Sequence, residues 1–187
     1  KAAAAGNTTS ARHTGTVPGF IKTNIDKAGD GIAPVYTTLP NNARTDGTQR
    51  ACTEAMLKNV ITLAWNEGGE PDTIFCGSWV KGVISAFAGN AAPVVNLAGT
   101  KPGTIVAAMD LYVSDFGNLK VIPTRFQRGR DAFVVDTEHL KLSFLRPFSQ
   151  KPLAKTGDAE KRLINAEWGV VVTNEKAHGA IVDLLTS

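Results

Sequence analysis

The chain has 187 residues, of which 43% are hydrophobic and 20% charged, and it carries a formal net charge of +3. That length suffices for one domain or a two-lobed unit burying roughly 70% of its unfolded surface, and the apolar content excludes wholesale disorder despite 18 Gly and 9 Pro. The charge is too small and dispersed for a dedicated nucleic-acid binder, two cysteines make no disulfide framework and suit a reducing compartment at least as well as a secreted setting, and no apolar run reaches the roughly 20 residues of a membrane helix.

No signal peptide is visible. The first residue is Lys1, and "AAAAGNTTSARHTG" reads like a helix tail fraying into a loop, so the chain is expected to be the remainder of a longer one. From Lys1 to Thr48 the sequence is rich in Gly, Asn, Thr, Asp and Pro, with one apolar knot, "VPGFIKTNI", that predicts a short strand. The stretch "KAGDGIAPVYTTLPNNARTDG" is long for a structureless connection, and loops of that length tend to be functional or poorly ordered. Asp26, Asp30 and Gly31 lack calcium-loop spacing and read as a turn.

Order begins at "TDGTQRACTEAMLKNVITLAWNEGG". Thr48 or Asp46 is expected to cap a helix, and Gly68-Gly69 to close it. Cys52, Met56, Leu57, Val60, Ile61 and Ala64 form one apolar stripe, which places Cys52 on the buried face as a core thiol. Pro71-Asp72 then turns the chain, Thr73 to Cys76 predicts a strand, and Ser78 is placed to cap a helix through "WVKGVISAFAG". After the loop "NAAPVVNLAGTKPG", six apolar or alternating runs succeed one another: "TIVAAMDLYVSDF", "NLKVIPTRF", "DAFVVD", "HLKLSFLRPF", "EWGVVVTN" and "HGAIVDLL". Two helices around a strand, then a largely antiparallel strand series, indicate an α+β fold.

Reactive constellations are sparse. Cys76-Gly77-Ser78-Trp79 resembles a damaged copy of the signature around a papain-type nucleophile, but the second Cys is missing and only His139 and His178 lie downstream, both in strand or turn patterns. A cysteine hydrolase centred on Cys76 is therefore the alternative reading, beside a non-assembling binding module. His13, His139 and His178 never form metal-ligand spacings. The glycine clusters match no nucleotide fingerprint, and no cofactor is implied. Glu67, Glu70 and Asp72 read as exposed turn charges. "RFQRGRD", with Arg125, Arg128, Arg130 and Asp131, is the densest charge cluster, a phosphate contact weighed against the plainer reading of a solvated loop or subunit-interface ion pairs.

Four stretches carry a resemblance: "ARTDGTQRACTEAMLKNV", "GGEPDTIFCGSWVKGVISAFAGN", "LYVSDFGNLKVIPTRFQRGRDAFVVD" and "LRPFSQKPLAKTGDAEKRLINAEWGVVVTNEKAHGAIVDL". They resemble tailed-bacteriophage major capsid (head) proteins with the Hong Kong 97-type fold, over most of Arg44 to Leu184. The resemblance implies an axial lobe plus the C-terminal part of a peripheral lobe, with mixed or antiparallel sheets and two main helices. Residues 1–23 would be the end of the spine helix and the strand leading inward, 24–130 the axial domain, and 131–187 antiparallel strands returning to the peripheral domain. The resemblance also implies that the N-terminal arm, extended loop and most of the spine helix of that family are expected to be absent from this chain.

The same resemblance implies a structural protein of a phage or prophage that self-assembles into the shell enclosing double-stranded DNA. Its partners would be copies of itself, in hexameric and pentameric capsomers, with non-specific proximity to packaged DNA and neither membrane nor small-molecule substrate. Its location would be the virion capsid, and the host bacterial cytoplasm during assembly. The loops 27–47 and 89–103 are the expected contacts around the symmetry axis, Arg125, Arg128, Arg130 and Asp131 are expected subunit-interface or lumen-facing residues, and deleting residues in the first loop is expected to weaken oligomerisation at nearly unchanged melting temperature.

Overall fold

The computed structural model describes residues 3–4, 7–10, 12–36, 42–87, 111–155 and 157–186. In chain order the elements are α1 (Val17–Phe20), β1 (Ile25–Asp26), α2 (Glu54–Asn66), β2 (Thr73–Cys76), α3 (Ser78–Ser85), β3 (Leu111–Ser114), β4 (Gly117–Pro123), β5 (Ala132–Val135), β6 (Leu140–Pro152), β7 (Arg162–Val172) and β8 (Gly179–Ile181). Short 3-10 turns at Thr137–His139 and Glu175–Ala177 flank the β6 and β7 pair. The fold is α+β, with a mixed sheet and few helices, as expected and consistent with a phage capsid fold.

Among the described residues six strands form one sheet in the order β1-β8-β5-β2-β4-β3, while β6 and β7 pair only with each other. The large sheet is more mixed than the strand runs suggested. β2 runs parallel to β4 with Thr73 opposite Lys120, and β1 runs parallel to β8 with Ile25 opposite Ala180. β5 is antiparallel to both β2 and β8. Residues 24–130 and 131–187 thus share this sheet, since Val134 of β5 lies opposite Ile74 of β2.

Alternation sorts the side chains into two layers. Ile74 and Cys76 of β2, Leu119 and Val121 of β4, and Ala132 and Val134 of β5 face the helices, against Leu57, Val60 and Ile61 of α2 and Val80 and Ile84 of α3. Phe133 and Val135 of β5, with Ala180 and Val182, face the other way onto Ile21, with Val17, Ile25, Phe75 and Leu140 around them. β5 is buried along its whole length because both of its faces are covered. Each fully buried Val, Leu or Ile contributes about 1.5–3 kcal/mol, so these two layers hold the sheet. Gly179 permits the closest approach, because a Cβ there would collide with Cγ1 of Val60 on α2.

Local signals misplaced several boundaries. The cap of α2 is Thr53, whose hydroxyl accepts from the Met56 N–H at 3.4 Å, because the two expected caps are engaged elsewhere: Thr48 donates to Asp30 and Asp46 pairs with arginines. Cys52 consequently lies just before the helix, partly buried against the core. Gly68, at φ 84°, ends α2 in the left-handed region as expected. Gly77 occupies the cap position of α3, and Ser78 is its first helical residue. The knot "VPGFIKTNI" forms a helical turn that starts at Val17 with Pro18 in its first turn, leaving only Ile25–Asp26 as strand. The loop 89–103 and the first part of "TIVAAMDLYVSDF" lie outside the described residues.

Candidate assembly surfaces

The arginine cluster of the sequence folds onto the first long loop. Arg128 pairs with Asp46 at 2.5 Å, and Arg130 reaches the same carboxylate at 3.4 Å while its Nη2 donates to the Gly47 carbonyl at 2.6 Å. Asp131 is buried and accepts from Arg44 Nη2 at 2.9 Å. Arg125 is exposed and has no carboxylate partner among the described residues. Three of the four residues of that cluster therefore meet in one intrachain network.

Its centre is a pair that the sequence did not single out. Arg44, with a side chain only 10% exposed, donates from Nη1 to Asp183 at 2.7 Å and also contacts Asp46 at 2.8 Å. Asp183 is fully buried and additionally accepts from the Gly47 N–H at 2.9 Å and the Ala28 N–H at 3.2 Å. Burial raises the Asp183 pKa, but the bonds from Arg44, Gly47 and Ala28 outweigh it and hold the carboxyl below its usual range. At Asp131 burial wins over Arg44 and Arg128, and the pKa is raised. The hydrogen bond from Arg128 holds the Asp46 carboxyl low. The two described ends of this loop, at Ala28 and at Arg44 to Gly47, are therefore pinned to Asp131 and Asp183 beside the sheet. The only sequence hint was "RTDG", which supplies a cation, an anion and a bare backbone within four residues.

The other prominent surface is the β6–β7 ribbon, an excursion leaving the sheet after Val135 and returning at Gly179. Its register runs from Leu140 opposite Val172 to Pro152 opposite Arg162, with irregularities around Arg146. Thirteen residues in β6 give it a length of about 40 Å. Among its residues none is buried: Phe148 is 73% exposed, Ile164 72% and Leu145 69%. The half near the sheet is partly covered by the N-terminal segment, where Thr14 Oγ1 accepts from the Val170 N–H and Arg12 approaches Glu167, itself bidentate to Arg146. The distal half is bare. Isolated two-stranded ribbons are marginal in water, and apolar exposure on this scale marks an interaction surface.

At the ribbon's root the two 3-10 turns are stitched together. Asp136 N–H donates to Nδ1 of the buried His178 at 3.2 Å, and Thr137 bonds Asp72 through both N–H and hydroxyl. Burial lowers the His178 pKa. On the sheet face away from α2, an apolar cavity of about 470 Å³ is lined by Phe75, Phe133, Val135, Val182 and Val17, with Phe126 wholly exposed at its lip.

Cys76 is fully buried among core side chains, and burial pushes its thiol up to about 11. Among the described residues no group of three or more His, Cys, Asp or Glu could hold a metal ion, and no helix is long and apolar enough to cross a membrane.

A chain whose unsatisfied chemistry lies in an exposed apolar ribbon and surface charge belongs to the class of assembly subunits. Residues 1–185 match the family model described as SU10 major capsid protein. The chain belongs to that phage major capsid protein family, and its role is structural, within the capsid. No curated protein matches it.

Proposed function

We propose that the chain builds a head shell around double-stranded DNA entirely through its outer surfaces, with no chemical step of its own. The observation that carries this reading is the bare β6–β7 ribbon, a long pair of strands exposing Leu145, Phe148, Ile164 and Trp168, which a monomer in water has no reason to retain. Many modest contacts repeated by symmetry suffice for a shell. The buried, high-pKa Cys76 argues against the thiol hydrolase alternative, since a nucleophile needs a lowered pKa and access.

In this reading the six-stranded sheet with α2 and α3 forms the lobe near a capsomer axis, and the ribbon with residues 12–20 belongs to the peripheral lobe. Capsomers are hexamers and pentamers, assembled in the host cytoplasm. Arg125 and the 55%-exposed Arg128 remain accessible to a neighbouring copy or to packaged DNA, whose phosphates require only non-specific positive charge. Arg130 and Asp131 serve the internal network. Electron microscopy and light scattering of the purified chain across concentration test the reading: concentration-dependent rings, sheets or particles support it, and monomers at all concentrations refute it.

A further inference from the structure

The β6–β7 excursion, residues 140–172, carries six basic and three acidic side chains, a net +3 equal to that of the whole chain. Its far end, residues 151–162, is net +2 with Asp158 included. Lys151, Lys161 and Arg162 are exposed there and have no carboxylate partner among the described residues, whereas Lys155 is neutralised by Glu160 at 2.9 Å. Phe148, Leu153, Leu163 and Ile164 are exposed around them.

The root of the same ribbon gathers carboxylates, although β6 also begins there with the exposed Lys141. The Glu70 N–H donates to Asp136 Oδ2 at 3.2 Å and the Glu138 N–H to Asp136 Oδ1 at 3.0 Å, while Asp72 accepts from Thr137 at 2.7 Å. These bonds gather Glu70, Asp72 and Glu138 at one place, and none of the three has a basic side-chain partner among the described residues. Leu63 and Trp65, exposed on the last turns of α2, supply apolar area upstream of Glu70. Tip and root are about 40 Å apart along β6, so a copy's basic tip does not reach its own acidic root.

We propose that the tip of the β6–β7 ribbon docks on the root of the ribbon of a second copy of this chain, Lys151, Lys161 and Arg162 meeting Glu70, Asp72 and Glu138. The proposal rests on the shell-building reading and specifies its contact. A contact between two different patches is heterologous, so repetition generates a ring when the rotation closes. Complementary charge sets the register and the encounter rate, and the exposed Phe148 and Ile164 provide the apolar burial.

The test uses the full chain in two charge-reversed forms, Lys151→Glu/Lys161→Glu/Arg162→Glu at the tip and Glu70→Lys/Glu138→Lys at the root, studied by sedimentation velocity at low ionic strength. Each form alone should associate at least ten-fold more weakly than the unaltered chain. An equimolar mixture should associate again, because each tip then meets a root of opposite sign. The milder Lys151→Gln/Lys161→Gln/Arg162→Gln form repeats the tip test without introducing repulsion, with far-UV spectra confirming the fold. Unaltered association of the tip variants, or a mixture no stronger than its components, overturns the proposal while leaving shell building intact. An unaltered chain that never associates overturns both.

Discussion

Arg44 and Asp183, 139 positions apart in the chain, meet at 2.7 Å beneath the first long loop, with Asp183 at φ 61° in the left-handed region. An Asp tolerates that conformation because its short polar side chain bonds locally; here its carboxylate accepts from Arg44, Gly47 and Ala28. One carboxylate thereby secures both ends of the loop.

Removing the cation leaves Asp131 and Asp183 buried without their shared partner. Arg44→Met is expected to cost about 3–5 kcal/mol, the magnitude for breaking one side of a buried ion pair, measured by urea unfolding. Asp183→Asn should be milder than Asp183→Ala, since Asn accepts the left-handed backbone and retains an acceptor for the Gly47 N–H.

The same network reverses the expectation that a deletion in the loop spares the melting temperature. Removal of residues 42–48 takes away Arg44, Asp46, Gly47 and the Thr48–Asp30 bonds. Scanning calorimetry should show a fall of at least several degrees. An unchanged transition would refute the pinning role.

Neither thiol should react in the folded chain at pH 8. Burial pushes Cys76 and Cys52 up to about 11, leaving on the order of one thiolate in a thousand by the ordinary titration relation. Mass spectrometry after iodoacetamide should find Cys76 unmodified until denaturant is added. Rapid folded-state alkylation of Cys76 would reopen the hydrolase alternative.

His178 gives stability an acid limb. Its folded pKa is depressed by burial below the ordinary value of 6.5, so the unfolded chain binds the proton more readily. Its contribution is intact above about pH 6.5 and is lost as pH falls towards and through the folded pKa, at up to about 1.4 kcal/mol per unit. His178→Gln should flatten that limb. Asp46 and Asp183, with lowered pKa values, lose their contributions only below the ordinary carboxylate value of 3.8, and Asp131, raised by burial, opposes them.

Excision of residues 143–170 with a short Gly-Ser closure should leave the sheet folded, because β5 and β8 pair with each other independently of the ribbon. Circular dichroism should retain a cooperative melt, while light scattering should show association abolished. Persistent association without the ribbon would place the assembly surface elsewhere.

The sequence alone determined the order helix, strand, helix around Glu54–Ser85, because three-four and two-fold apolar spacing and a Gly at the helix end act within a few residues. It also supplied the family resemblance, through stretches that run from Arg44 to Leu184. The cap of α2 shifted because Thr48 and Asp46 were committed to distant partners, which local spacing does not register. Only the tertiary structure decided that β2 lies parallel to β4, that Arg44 finds Asp183, and that β6 and β7 leave the sheet together. Alternation tells which side chains share a face but not which strand pairs with which; that choice depends on contacts between segments distant in the chain, Thr73 with Lys120 and Ile25 with Ala180 among them.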